Sequence, residues 1–275
     1  MMKSIECQET ALIGLFGRHA MRQSIEALST ARPTGMIHRT QFSVLLTFCF
    51  WGFASTVDAA QKEMRLKDKT LVVWVSPSDL TQTGGSALTV NDTTIDRFDG
   101  IVFGEIEPQV WMPGSNGYGR THKDQASWPA ETVLSTEFVQ MAIVYQGKNI
   151  TVFRDGELYA NYVAEGDPYA YGPSTALLFG PRHLSKGVDC CFVRLPDARV
   201  YAEPLEQAQI AVMKPGEPVP GLVPWAWWDF STSGTFDKSG RFNQVRLAGG
   251  ATIEGGCLLL SGKRPMLMAT RVSEE

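Results

Sequence analysis

Residues 138–162 read FVQMAIVYQGKNITVFRDGELYANY, and this stretch decides the fold. It holds three short runs rich in β-branched and aromatic residues, at 138–145, 150–154 and 157–163. Gln146-Gly147-Lys148-Asn149 separates the first two runs, and Asp155-Gly156 separates the second from the third. Apolar runs punctuated by Gly with Asn or Asp predict strands joined by hairpin turns. Connections this short hold no crossover helix, so neighbouring strands must run antiparallel. The first run is apolar on both alternating faces, with Ala142 and Val144 on one and Met141, Ile143 and Tyr145 on the other. That pattern suits a central strand covered on both sides, as in a sandwich. The other two runs carry Thr151, Arg154, Glu157 and Asn161 and are expected nearer the surface.

Outward from this meander, further strands are predicted at 70–75 (TLVVWV), 86–90, 99–105 (DGIVFGE) and 174–180 (STALLFG). Between them lies 107–128, broken by Pro108, Pro113, Gly114, Gly117 and Gly119 and decorated with Trp111, Tyr118, Arg120, His122 and Trp128. A loop of this length inside a compact domain is a candidate for function, and its aromatic content argues against disorder. A second turn-rich loop, 166–173 (GDPYAYGP), carries Tyr169 and Tyr171.

The order "hydrophobic strand, Tyr-x-Gly, strand, Asp-Gly-x-Leu" resembles the core of concanavalin A-like, laminin G-like jelly-roll domains. Asp197-Ala198-Arg199-Val200-Tyr201, followed by Pro204-Leu205 and Gln209-Ile210, resembles that family's closing strand and final short helix. The resemblance implies an all-β, antiparallel jelly-roll sandwich over residues 60–213. Leu195-Pro196 departs from the family's wording. Because Pro removes a ladder donor, the closing strand is expected at a sheet edge or to begin after Pro196. Residues 214–224 (KPGEPVPGLVP) read as a Pro/Gly linker. Residues 225–275 resemble the opening strands of a laminin G-like unit, and form either an incomplete second segment or strands that complete the first. Comparable arrangements precede the catalytic domain of some levanase-like proteins of glycoside hydrolase family 32.

The amino-terminal part reads as a targeting sequence. Arg39, an apolar run over 42–54 and Val57-Asp58-Ala59 have the layout of a secretory signal peptide over 36–59, with cleavage expected after Ala59. The run is shorter than the roughly 17–25 residues that span a bilayer, so no stable membrane span is expected. Residues 1–35 then read as an upstream extension from a misassigned start, with Met36 the true one. Export places the mature chain outside the cell, in the periplasm or on the cell surface. Beyond this leader, Cys190, Cys191 and Cys257 form an odd set with no CxxC pair and no His at ligand spacing, so buried or unpaired thiols are expected rather than zinc. A net charge of −4, without blocks of like charge, gives nucleic acid no electrostatic footing.

Catalytic motifs are scarce. Glu105 and Glu107 would share one face of a strand, as the carboxylates of a laminarinase-type ExDxxE signature must. The third position is Val110 and Pro108 interrupts the strand, so two acids at a strand end are the better reading. No GxSxG, HExxH, Walker or dinucleotide pattern is present, and the levanase-like family's acidic motifs are missing. Binding remains. A sugar presents an apolar ring face and a rim of hydroxyls, which flat aromatics and a few polar groups can match. The candidates are Trp111, Tyr118, Trp128, Tyr169 and Tyr171 for stacking, and Asn116, Arg120 and His122 for hydrogen bonding, with Trp111 and Trp128 the expected principal rings. The partner would be a polysaccharide or oligosaccharide. Calcium accompanies many members of the resembled fold, and Asp92, Asp96, Asp99 and Asp237 are the acidic loop residues available to it, without EF-hand spacing. Two other functions stay open: the amino-terminal part of a levanase-like glycoside hydrolase, and a protein–protein adhesion module.

Overall fold

The computed structural model describes residues 65–271 apart from 96, 134–136 and 185–189. The leader, the upstream extension and Asp96 lie outside the described residues. The fold is an all-β antiparallel jelly-roll sandwich. In chain order its strands are β1 (Lys69–Pro77), β2 (Ser86–Asp92), β3 (Arg97–Phe103), β4 (Trp111–Ser115), β5 (Val139–Gln146), β6 (Asn149–Arg154) and β7 (Glu157–Val163). They continue with β8 (Thr175–Gly180), β9 (Val193–Tyr201), β10 (Ala226–Asp229), β11 (Gln244–Ala248), β12 (Thr252–Glu254), β13 (Cys257–Leu260) and β14 (Met266–Thr270). One short helix, α1 (Gln207–Ala211), follows β9.

One sheet has the order β12-β13-β9-β1-β5-β6-β7, with β10 also paired to β9; the other has the order β11-β14-β8-β2-β3-β4. The meander predicted from 138–162 is β5, β6 and β7, in register through Gln146↔Asn149 and Arg154↔Glu157. Asp155 and Gly156 both take positive φ (51° and 78°), the backbone that a two-residue hairpin needs to match strand twist. β5 is the central strand its composition implies. Met141, Ile143 and Tyr145 face the main core between the sheets, while Ala142 and Val144 face a second cluster. That second cluster lies on the outer face of the eight-stranded sheet, where Ile210 of α1 and Leu205 pack on Val72, Trp74 and Phe153. Each fully buried aliphatic side chain in these layers contributes about 1.5–3 kcal/mol relative to exposure.

Two expectations change. Residues 111–115, read as loop, form β4, the edge strand of the smaller sheet, paired to β3 through Ile101↔Pro113. An edge strand tolerates a residue without an N–H, so Pro113 does not break it. Pro196 sits inside β9, which is neither an edge strand nor shortened. Its missing donor falls where partners change. β1 shifts register between Trp74 and Ser76, β13 pairs up to Leu195, and β10 takes over at Asp197. The strands after the linker join both sheets: β10, β12 and β13 enter the larger one, β11 and β14 the smaller. Val219 and Leu222 of the 214–224 stretch pack against the outer cluster. Cys190, Cys191 and Cys257 are buried and none is in a disulfide.

Candidate functional site

Inward-facing rows of three strands end at one place in residues that are not aliphatic. The row Leu71, Val73, Val75 of β1 begins at Lys69, the row Ile101, Phe103 of β3 begins at Asp99, and the row Met141, Ile143 of β5 ends at Tyr145. The apolar core therefore closes at this end in a charged layer. Lys69 is 0% exposed and its Nζ donates to Asp99 Oδ2 at 2.7 Å. Arg120, 5% exposed, donates from Nη1 to the same oxygen at 2.9 Å and from Nη2 to the Gly147 carbonyl at 3.2 Å. Lys69 Nζ stands 4.4 Å from the centre of the Tyr145 ring and 4.9 Å from that of Tyr171, and the Arg120 guanidinium lies 4.8 Å from Tyr145. Burial lowers the Lys69 pKa, and the Arg120 charge adds to that effect against the pull of Asp99. Burial first, and the Asp99 carboxylate second, push the hydroxyls of Tyr145 and Tyr171 well above their ordinary range.

Above this layer opens a cleft of about 450 Å³. One wall is the start of β3 with the end of β4 and its following turn, contributing Arg97, Asp99, Ser115, Asn116 and Arg120. The other wall is the loop after β7, contributing Gly166, Asp167, Tyr169 and Tyr171. The walls are tied together where Gly166 N donates to the Gly119 carbonyl at 2.7 Å. A side chain at Gly166 would bring its Cβ to 2.6 Å from that oxygen, so this approach requires glycine. Arg120 is fixed at both ends of its own backbone. Its N–H donates to Ser115 Oγ and its carbonyl accepts from the Tyr162 hydroxyl. Tyr169 donates its hydroxyl to Asp92 Oδ2 at 2.7 Å, with the Arg97 guanidinium 5.3 Å from its ring centre. Asp92 carries a pKa lowered to about 2. Its burial opposes the shift, and hydrogen bonds from Thr94 and Tyr169 outweigh that opposition.

The predicted site residues divide. Asn116, Arg120, Tyr169 and Tyr171 line the cleft. Tyr171 is nevertheless 1% exposed and bonded through its backbone to Leu66, so it forms floor and offers no stacking face. Trp111, expected as a principal stacking ring, is 0% exposed. It packs on Phe103 in the main core and donates Nε1 to Glu131 at 3.1 Å. On β4 it stands opposite Phe103, whose inward face it shares in the main core. Tyr118 is 39% exposed and donates its hydroxyl to Glu105, which Arg182 also contacts. That places Glu105 in an ion pair on a bend after β3 rather than beside Glu107 on a strand. His122 and Trp128 stack on each other, ring centres 5.9 Å apart, and both lie against Tyr162 of β7. They cap the open edge of the sandwich, half-buried, and lie outside the cleft lining.

The sequence reading missed Arg97, Asp167 and Lys69. A lysine at the start of an apolar strand gives no local sign of being buried, because its partners Asp99 and Arg120 come from other strands and loops. The acids proposed for calcium are engaged. Asp99 holds two cations on Oδ2, Asp92 accepts from Thr94 and Tyr169, and Asp237 accepts from Trp227, Ser239, Arg241 and Phe242. Among the described residues no group of three or more His, Cys, Asp or Glu is arranged to hold a metal ion. No helix among them is long and apolar enough to cross a membrane.

Fold and cleft together define a jelly-roll domain with a polar rim site. The profile of the concanavalin A-like lectin/glucanases superfamily matches residues 52–211, more than half of the chain. The chain belongs to that superfamily. No curated protein matches it by sequence. Among solved structures it is similar to a candidate carbohydrate-binding protein of Bacteroides ovatus at 12% identity and TM-score 0.46, covering 74% of this chain and 52% of that one. It is also similar to domain 4 of AbnA, a GH43 extracellular arabinanase of Geobacillus stearothermophilus solved with arabinotriose. Identity there is 14% and TM-score 0.41, over 54% of this chain and 66% of that one. A third is the SAP-like pentraxin of Limulus polyphemus, at 13% identity and TM-score 0.41, over 60% and 79% respectively. The chain thus spans about half the length of the Bacteroides protein. Likeness at these identities carries no function with it.

Proposed function

We propose that the mature chain is an exported, non-catalytic carbohydrate-binding module that receives a polysaccharide or oligosaccharide in the cleft between β3–β4 and the loop after β7. The observation that carries this reading is the cleft's construction. Donors and acceptors from the start of β3, the turn after β4 and the loop after β7 (Arg97, Asn116, Asp167, Tyr169) converge over a buried layer that holds Arg120 and Asp99 in place. Prepositioned polar groups bind hydroxyls without the ordering cost that mobile ones incur. Membership of a superfamily that includes lectins supports the same reading. A shallow site of this kind binds weakly, on the order of 0.01–1 mM, or about 4–7 kcal/mol. The stacking surface is Tyr169 with Arg97, in place of Trp111.

Electrophoresis through gels containing single polysaccharides tests it, with retardation of the folded chain on at least one glycan expected. Uniform mobility across a broad panel, including arabinan, xylan, β-glucan, galactan and polygalacturonate, would remove the reading. Release of reducing sugar from the retarding glycan would remove its non-catalytic part. Mass spectrometry of the exported protein should find the residue after Ala59 at the amino terminus, and an intact Met1 or Met36 would contradict cleavage there.

A further inference from the structure

We infer that the cleft takes an uncharged sugar and that Asp99 is the residue that reads it, by accepting a hydroxyl that Arg120 simultaneously donates to. The inference rests on the carbohydrate-binding reading above and names the ligand class of that same cleft.

Three observations lead there. First, the charges around the cleft are matched. Lys69 and Arg120 meet Asp99, and Lys148 meets Asp167 at 3.0 Å. Arg97 lies over Tyr169, whose hydroxyl is bound to Asp92, and Asp68 accepts from Gly147 N beside the layer. Among the residues that line the cleft, Arg97 and Arg120 are balanced by Asp99 and Asp167, with Arg65 outside the lining, so a ligand carboxylate would find no surplus of positive charge there and would also meet both aspartates. Second, Asp99 Oδ1 and Arg120 Nε have no hydrogen-bond partner among the described residues, although Asp99 is 1% exposed and both residues line the cleft. Leaving such atoms unpaired costs free energy that a ligand can recover. Third, one is an acceptor and the other a donor. A sugar hydroxyl both donates and accepts, so it can satisfy the two together, whereas an ionised carboxylate accepts only. A carboxylate that pairs with cations is a strong acceptor, and Lys69 and Arg120 both sit on Oδ2, so Oδ1 is left for the ligand, with the Tyr171 hydroxyl close to the same carboxylate.

The test compares polygalacturonate with the same polymer after carboxyl reduction, alongside arabinan and xylan, using the wild-type chain at 50 and 500 mM NaCl. At least one uncharged polymer should retard the chain at both salt concentrations with less than a twofold change, and polygalacturonate at least tenfold more weakly. Asp99→Asn, which keeps the shape and removes the charge, should weaken retention at least tenfold. If that variant does not fold, Asp99→Glu carries the same expectation, because it keeps the charge beside Lys69 and Arg120 while moving the oxygen. Equal or stronger retention on polygalacturonate overturns the ligand class but leaves a sugar-binding module standing. Retention on uncharged polymer that is within twofold of wild type in the folded Asp99 variant overturns the role of Asp99. Retention on no polymer removes this inference and the reading beneath it together.

Discussion

The chain from Glu105 to Val133 builds two unlike regions a few residues apart. Residues 116–120 face the loop 166–171 across an open polar cleft, whereas residues 122–133 lie down on the sandwich edge as a cap. The cap is fastened by tyrosines of β7, through the Tyr159 hydroxyl to the Pro129 carbonyl and the Tyr162 ring against His122 and Trp128. Beneath it, Glu131 accepts from Trp111, Arg154 and the N–H groups of Thr132 and Val133. Both regions are rich in aromatic and charged residues, yet in the cap the rings of His122 and Trp128 and the carboxylate of Glu131 are engaged by neighbouring side chains. In the cleft some still have bonding capacity to offer. Aromatic content marks a loop that needs anchoring as readily as a loop that binds, and the hydrogen-bond ledger separates the two. Variants in the cap should therefore change stability, and variants on the cleft wall should change binding.

The largest effect belongs to the cap's root. Trp111→Ala empties a fully buried site packed on Phe103 and leaves Glu131 short of a donor. It is expected to destabilise the fold by about 3–5 kcal/mol, read as a lower urea midpoint. A midpoint unchanged from wild type would place the ring outside the core and restore it as a stacking candidate. Next comes Glu131→Gln. Its carboxylate is 2% exposed, and hydrogen bonding and the charge of Arg154 hold its pKa below the ordinary value against the burial that opposes them. Removing the charge beside half-buried Arg154 should cost on the order of 2–3 kcal/mol, with the same loss of midpoint. Neither variant should alter glycan retention at temperatures where it stays folded.

Acid sharpens the comparison from another side, because Asp92 stands behind the cleft and Asp229 in the β10 turn, far apart in sequence. Both have folded pKa values of about 2, below the ordinary 3.8. For Asp229, burial opposes the shift, and Ser231, Thr232 and Lys238 outweigh it. A depressed carboxylate pKa stabilises the fold above the unfolded value, so the contribution is complete above about pH 4 and disappears as the pH falls towards 2. Each is worth about 2 kcal/mol. The urea midpoint should drop between pH 4 and pH 2, and Asp92→Asn or Asp229→Asn should each be less stable at neutral pH and show a shallower drop. Retention of the full wild-type slope in both variants would assign the acid sensitivity elsewhere.

Much of the fold was legible because its signals are local. Alternation in 138–145, the Asp155-Gly156 turn and the Gly-punctuated runs each depend on neighbours within a hairpin. The 107–128 stretch misled because Pro113 and Gly114 are read as breakers, while an edge strand accepts both. The site was half legible. Asn116, Arg120 and Tyr169 could be chosen from loop position and side-chain chemistry, and they do line the cleft. Lys69 and Tyr145 could not, and Asp99 was chosen only as a calcium ligand, since their partnership exists only after β1, β3 and β5 come together at one end of the core. Whether a loop ring faces solvent or core depends on the same long-range packing, which is why Trp111 and Tyr118 could not be ranked from sequence.

The smallest effect on stability should come with a large effect on binding, and Asn116 is where the two separate. It is exposed at the start of the turn after β4, and among the described residues its backbone carbonyl accepts from Gly119 N while its side chain makes no hydrogen bond. Exposed substitutions free of buried partners usually stay within about 0.5 kcal/mol of wild type. Asn116→Ala should therefore leave the urea midpoint nearly unchanged. Its amide nevertheless stands on the cleft wall, where it can donate to one sugar hydroxyl and accept from another. Losing those bonds should weaken retention on the best uncharged polymer about three- to tenfold, equivalent to about 0.7–1.4 kcal/mol. Trp128→Ala makes the opposing case, since its half-buried ring is engaged by His122, Tyr159 and Tyr162 on the cap. It should lower the midpoint more than Asn116→Ala while leaving retention within twofold. If instead Trp128→Ala abolishes retention at an unchanged midpoint and Asn116→Ala does nothing, the cap is the sugar platform and the assignments of the two regions must be exchanged.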